Sequence, residues 1–354
     1  MNTLFTPVKF WDVAFWLSAE DHIMASQPSA DGGRCFIVWR APPCVVIGRN
    51  QILEAEVNLT GVNRRNVAIV RRASGGGAVY IDPGAIQYAV IQPFSSGQGD
   101  DAMKIAREQV AGFIASVLTQ FGVPATVEGR NDITATGAKI SGMSQYAFNG
   151  WLNTHGTLLY DTDLDILSAL LNPDADKFTS KAVRSVRSRV TNIKPFINRD
   201  TKLYSRTYSL DTADGFMHTF YYCALETAET SGRPFFTYQP DDDDLDAIYI
   251  IRRERYANPA NTFFLSPPYT VRASRRFPEG NVEFFADIRR GHISSCAIRG
   301  DFIGARPVIE LENALCGLPF RRDDLLSALG GAQTTACLGG VTASELISLL
   351  FDES

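Results

Sequence analysis

The sequence predicts an α+β protein in which mixed or antiparallel β-sheets carry flanking helices, followed by a small C-terminal α+β accessory domain. Three observations predict it. Short β-branched and aromatic runs, each ending at Pro or Gly, crowd the chain between Arg34 and Phe94. One long segment, Ala102 to Phe121, repeats apolar residues at three- and four-residue intervals. A proline pair in Leu265-Ser266-Pro267-Pro268 fixes an extended path and removes backbone donors, and the strand pattern changes beyond it. The expected division is a large domain over 1–265 and a small one over 266–354.

Taken in order, Trp11 to Met24 has helical apolar spacing and runs into the polar turn Pro28 to Gly33. Arg34 to Arg40, Cys44 to Gly48, Val67 to Arg71, Ala78 to Ile81 and Ile86 to Phe94 read as strands. In the long helix Ala106, Val110, Phe113, Ile114, Val117, Leu118 and Phe121 form one apolar stripe, which Gly122 and Pro124 end. Further strands run through Leu159, and Asp163 caps a short helix from Leu164 to Leu171. The carboxylates Asp241 to Asp244 suit a helix starting at Leu245, near its positive dipole end, better than a metal. In the tail, Asn281 to Ile288 and Ile293 to Ile298 form a hairpin around Arg290-Gly291-His292, with helices near Val308 to Leu315 and Ala343 to Leu350.

With 354 residues, 45% hydrophobic and 21% charged, the chain can bury a sizeable core. A formal charge of −5 gives no general attraction to nucleic acid, which is not an expected partner. The six cysteines form no CxxC pair and the four histidines no HxxxH or HxH spacing, so neither a zinc site nor a disulfide framework is expected. Lys9, Asp12, Glu20 and Asp21 break any signal-peptide core, and no run of about 18 uncharged apolar residues exists to span a membrane. A reducing cytoplasm is the expected compartment.

Two segments carry chemistry. Arg71-Arg72-Ala73-Ser74-Gly75-Gly76-Gly77-Ala78-Val79-Tyr80 places three glycines between two strands, where their N–H groups can line an anionic or acyl ligand. The spacing is neither GxxxxGK[ST] nor GxGxxG, and a tight hairpin would use the same glycines. In the second segment, Gly129-Arg130-Asn131-Asp132-Ile133 precedes Gly137-Ala138-Lys139-Ile140-Ser141-Gly142, with Asp132 and Lys139 at the ends of a hairpin. That carboxylate can hold a metal or a hydroxyl, and the lysine can neutralise a phosphate or a developing oxyanion. Alone, Lys139 reads first as a surface lysine, because lysines are mostly exposed.

Five segments in register resemble the lipoate-protein ligase family of the biotin/lipoate ligase superfamily. They are Val46 to Gln51 with Glu56-Val57-Asn58; Arg71 to Gly84; Gly129 to Ile133; Ala138 to Gly142 with His155-Gly156-Thr157-Leu158-Leu159; and Ser180 to Ile193. The tail resembles the accessory domain of the long ligases. The resemblance implies that lipoate attacks the α-phosphate of Mg-ATP to give lipoyl-adenylate, whose acyl group passes to a lysine on acceptor lipoyl domains. Those of 2-oxoacid dehydrogenase E2 and the glycine-cleavage H protein are the implied partners. It makes Lys139 the catalytic cation and Asp132 the Mg2+ ligand. Arg72, Ser74, Gly75, Gly76 and Gly77 would line the acyl and adenylate channel, with Val79 and Tyr80 backbone groups toward adenine. Asn131, Asp132, His155, Gly156 and Thr157 stand in the matching substrate segments, and Lys181 leads the loop that closes over the adenylate.

Three positions depart from the family pattern, which has His-Asp at Ile81-Asp82, Gly-Asn at Gly84-Ala85 and Asn at Gln87. Donors lost near the ligand bear on acyl specificity and on activation. A cysteine-dependent octanoyl or lipoyl transferase of the same fold would need a thiolate and no ATP, yet Ala102 to Lys202 contains no cysteine. Biotin-protein ligases carry a different glycine and arginine pattern. A non-catalytic module would not require Lys139, Asp132 and the basic loop together.

Overall fold

A computed structural model describes residues 11–26, 33–95, 99–129, 131–171, 190–198, 208–236, 238–263 and 269–351. Lys181 with the rest of Ser180 to Arg189, Arg130, and the whole Leu265 to Pro268 linker lie outside the described residues.

The large sheet runs β10-β1-β5-β9-β8-β7-β6. Its strands are β1 (Arg34–Trp39), β5 (Ala85–Pro93), β6 (Ala125–Glu128), β7 (Asp132–Ala135), β8 (Ala138–Phe148), β9 (Trp151–Leu159) and β10 (Phe235–Phe236). All neighbours are antiparallel except β10 on β1. A second sheet has the order β3-β2-β4, with β2 (Cys44–Ile47), β3 (Ala68–Arg71) and β4 (Val79–Ile81). The helices are α1 (Val13–Ser26), α2 (Leu53–Glu56), α3 (Leu59–Arg65), α4 (Gly99–Gln120), α5 (Leu164–Leu170), α6 (Ala213–Thr230), α7 (Asp242–Ile251) and α8 (Pro259–Thr262).

The period-two geometry of β5 splits its side chains between two cores. Ile86, Tyr88 and Val90 meet α4 and α6 through Ile114, Leu118, Phe216 and Phe220. Ala85, Ala89 and Ile91 face α1 through Trp16, Ile23 and Met24. Helix α1 is buried nearly all round and carries two buried acids, Glu20 and Asp21. Asp21 accepts from Tyr146, Tyr256 and Arg255 at 2.6, 2.8 and 2.7 Å.

The glycine segment is not a tight hairpin. Strands β3 and β4 each pair with β2 and not with each other, so Arg72 to Ala78 crosses the end of β2. The acidic run starts its helix earlier than expected: α7 begins at Asp242, and Asp241 and Asp244 form a reciprocal capping box. Asp163 caps α5 through Asp165 N and Ile166 N.

The C-terminal unit packs β11 (Val271–Phe277), β12 (Gly280–Arg289) and β13 (His292–Gly300) against α9 (Ile309–Leu315), α10 (Arg322–Ala328), α11 (Gly331–Leu338) and α12 (Ala343–Phe351). Its core holds Phe284, Ile298, Phe302, Leu311, Leu325 and Leu346. It meets the loops of the second sheet through backbone: Gly300 N donates to Asn50 O at 2.9 Å, and Gly76 N to Phe302 O at 3.4 Å. A Cβ on Gly75 would lie 2.3 Å from Phe302 O, so only glycine permits this approach. Among the described residues no single helix is long and apolar enough to cross a membrane.

Candidate active site

A cavity of about 670 Å³, counting its mouth, opens between the glycine loop and strands β8 and β9. Val13, Leu17, Trp39, Val46, Ala78, Val79, Ile81 and Met143 give it apolar walls, and Lys139, Asn131, Gln87, Thr157, His155 and Glu20 supply its polar groups. A mostly apolar slot with a few convergent polar groups suits an extended acyl chain ending in a carboxylate.

At one end, β7 and β8 pair Thr134 with Lys139 and Asp132 with Gly142. The Lys139 side chain crosses to the neighbouring strand, and its Nζ lies 2.8 Å from Asp132 Oδ1. Its path runs directly over Gly142, where a Cβ would come within 2.7 Å of both Cε and Nζ. The two side chains remain 36% and 35% exposed, so the pair is accessible to a ligand and contributes at most ~1 kcal/mol to stability.

Deeper in the cavity, Thr157 and His155 stand two residues apart on one face of β9, a spacing of ~7 Å. Thr157 Oγ1 donates to Gln87 Oε1 at 2.6 Å, and among the described residues Gln87 Nε2 has no partner. Position 87 therefore keeps a buried amide donor without a partner among the described residues, in a side chain that lines the cavity. His155 bridges Ser74 Oγ and Glu20 Oε2, each at 2.7 Å, and Asn153 Nδ2 donates to the same Glu20 oxygen at 2.8 Å. The other Glu20 oxygen is buried without a partner among the described residues.

Two arginines build the glycine loop. Arg72 donates to Ser74 Oγ and to the carbonyls of Val46, Gly75 and Gly77. Burial, and then the charge of neighbouring Arg71, push its pKa down to about 10. Arg71 spends its donors on the carbonyls of Gly48, Arg49, Gln51, Asn261 and Thr262. Ser144 Oγ adds a bond to Gly75 O at 2.8 Å.

Of the residues expected at the site, Arg72, Gly76, Gly77, Val79, Asn131, Lys139, His155, Gly156 and Thr157 line the cavity. Asp132 joins them through Lys139. Ser74 stands behind His155, fully buried, and Gly75 faces the Phe302 carbonyl. The Tyr80 side chain turns away into the small sheet's own core. The sequence reading missed Glu20, Leu17, Trp39 and Met143 as cavity residues. Glu20 carried a signal, an acid inside an otherwise apolar helical stretch.

Among the described residues no group of three His, Cys, Asp or Glu side chains could hold a metal by itself. Nor does the cavity offer a thiolate. Cys35 and Cys44 are fully buried and absent from its lining, and burial pushes the Cys35 thiol up to about 12 and that of Cys44 higher still.

Comparison with known proteins matches residues 12–205 to the lipoyl protein ligase A/B catalytic domain and 266–350 to the bacterial lipoate protein ligase C-terminus. The Bacillus subtilis lipoate-protein ligase LplJ is 32% identical over 87% of this chain and 88% of its own. Among solved structures, P. falciparum LipL1 in complex with lipoate superposes with a TM-score of 0.70 at 20% identity, covering 90% of this chain and 92% of that one. A lipoate-protein ligase A bound with ATP gives 0.56 at 21% identity, covering 72% and 95%. At that identity the two structures establish the fold alone. The matched domain models and the bacterial relative establish more: this chain belongs to the lipoate-protein ligase family.

Proposed function

We propose that lipoate lies along this cavity with its carboxylate at Lys139 and its ring end toward His155 and Glu20. One observation carries the orientation: the accessible ammonium of Lys139 stands at one end of a slot whose walls are otherwise largely apolar. The protein is an ATP-dependent lipoate-protein ligase. A carboxylate oxygen of lipoate forms a bond to the α-phosphorus of ATP as the bond to pyrophosphate breaks. The amine of an acceptor lysine then takes the acyl group from lipoyl-adenylate, and AMP leaves. Lys139 can face both the attacking carboxylate and the α-phosphoryl oxygens, where negative charge builds. The glycine loop, held by Arg72, offers N–H groups to the adenylate, and the apolar walls exclude water from a hydrolysable intermediate.

Mg2+ suits Asp132, because this ion is commonly held by one or two carboxylates plus substrate phosphates and several waters. When bound it supplies neutralisation of the polyphosphate charge. Lys181 is assigned to closure over the adenylate on its motif alone. The acceptors are lipoyl domains such as those of 2-oxoacid dehydrogenase E2 and the glycine-cleavage H protein. Residues 1–265 form the catalytic domain, and 266–354 the accessory one. The test incubates the protein with lipoate, Mg-ATP and a lipoyl domain and reads intact mass. An ATP-dependent lipoylated acceptor is expected, and transfer that proceeds from an acyl carrier without ATP would replace this reading with a transferase.

A further inference from the structure

The C-terminal unit holds a pair of thiols that the ligase reaction does not use. Cys296 lies in the middle of β13, opposite Ala286, and Cys316 follows the last turn of α9. Their sulfurs are 4.0 Å apart. Cys316 is exposed and Cys296 half-buried, whereas Cys35, Cys44, Cys223 and Cys337 are buried. A disulfide needs the sulfurs at ~2.05 Å, so the gap to close is only ~2 Å. Cys316 sits at the helix end, where its N is held by Glu312 O at 3.1 Å.

We propose that Cys296 and Cys316 form a reversible dithiol–disulfide site that takes low-molecular-weight disulfides as oxidant. The exposed Cys316, as thiolate, attacks one sulfur of the small disulfide. A bond forms to Cys316 Sγ, and the other half leaves as a thiolate that collects a proton. Cys296 Sγ then attacks Cys316 Sγ, the mixed disulfide breaks, and the second small thiolate leaves and is protonated. The two cysteines lose two electrons and two protons, and one disulfide becomes two thiols. The order follows from access. Burial and the neighbouring Cys316 push the Cys296 thiol up, so it is the resolving partner rather than the first nucleophile.

The bond would tie the end of α9 to the middle of β13, beside a buried polar contact between the same two elements. Glu312 Oε1 accepts from Ile298 N at 2.8 Å and from Arg299 Nη1 at 2.7 Å. Beyond Arg299, β13 ends at Gly300, whose N–H reaches Asn50 in the large domain. The site thus lies on the element that meets the glycine-loop side of the molecule.

The experiment treats the full, folded chain with glutathione disulfide, traps free thiols with an alkylating reagent, and maps peptides by mass. A linked Cys296–Cys316 peptide is expected, with the intact chain lighter by two hydrogens, the four buried cysteines alkylated only after denaturation, and full reversal by dithiothreitol. Cys296→Ser should instead stop at a stable glutathione adduct on Cys316, with an unchanged melting temperature showing that the fold survives. A wild-type chain that stops at that same adduct, or a linkage formed only in denaturant, would overturn the proposal.

Discussion

At the scale of the residue, the site depends on what is missing at position 142. Gly142 has no positive φ to satisfy, so its glycine is explained by the Lys139 side chain lying across it. In Gly142→Ala the new methyl meets the flexible end of a lysine, which swings aside at little cost to the fold. The ammonium then leaves its place, and misplacement of a catalytic group by ~1 Å can cost about a hundredfold. Adenylate formation should fall by that order while the melting temperature holds, and a wild-type rate in pyrophosphate release would show that Lys139 does not act from the position described. Cys35 and Cys44 make the opposite prediction. Their joint replacement by alanine should leave ATP-dependent lipoylation intact, with a stability loss of about 1–2 kcal/mol from the small voids left behind. Loss of transfer by the folded double variant would return a thiol to the mechanism. Lys139 and the glycines were legible because their motifs stand in a fixed order. Glu20 was not, because α1 is buried on nearly every side, and hydrophobic spacing cannot tell which side of such a helix faces a cavity.

At the scale of the element, the strands and long helices were read where one face is apolar and the ends carry turn residues. The helix over Gly99–Gln120 and the helix capped by Asp163 met both conditions. Strand β11 met neither, since Arg272, Ser274, Arg275 and Arg276 leave it with little apolar alternation, and only its pairing with β12 makes it a strand. The glycine segment was ambiguous for a different reason: a loop over β2 and a tight hairpin require the same φ freedom, and only strand order separates them. The last helix supports a pH prediction. Glu345 accepts from Thr342 N at 2.8 Å and Thr342 Oγ1 at 2.7 Å, while Glu345 N bonds back to Thr342 Oγ1. Those two bonds hold its carboxyl below the ordinary value of 4.5. A depressed folded value means a contribution that is present above the unfolded value and lost as pH falls through the folded one. The wild-type melting temperature should therefore drop more steeply on acidification below 4.5 than that of Glu345→Gln, the two curves converging in stronger acid. Parallel curves across that window would show that the cap is not formed in solution.

At the scale of the whole molecule, the C-terminal unit rests on the glycine loop through the Phe302 carbonyl and on the Gly48 to Gln51 turn through Gly300. An adenylate seated against that loop would compete with these contacts, so adenylate formation should shift the small unit relative to the large one. Solution scattering should change when a non-hydrolysable lipoyl-adenylate analogue is added, and identical profiles would remove the coupling. The proline pair is the boundary the sequence leads one to expect, whereas the contact of the C-terminal strands and helices with the glycine loop required three dimensions, because Gly75 and Phe302 are distant in the chain. The proposed mechanism depends on one cation acting in the cavity, Lys139. Its most direct test is Lys139→Ala assayed without acceptor for lipoate-dependent pyrophosphate release, and then with pre-made lipoyl-adenylate for transfer. With an unchanged melting temperature, the first half-reaction should fall roughly a hundred- to a thousandfold, the magnitude of one lost preorganised donor, and the second should fall as well; wild-type rates in both would contradict the mechanism.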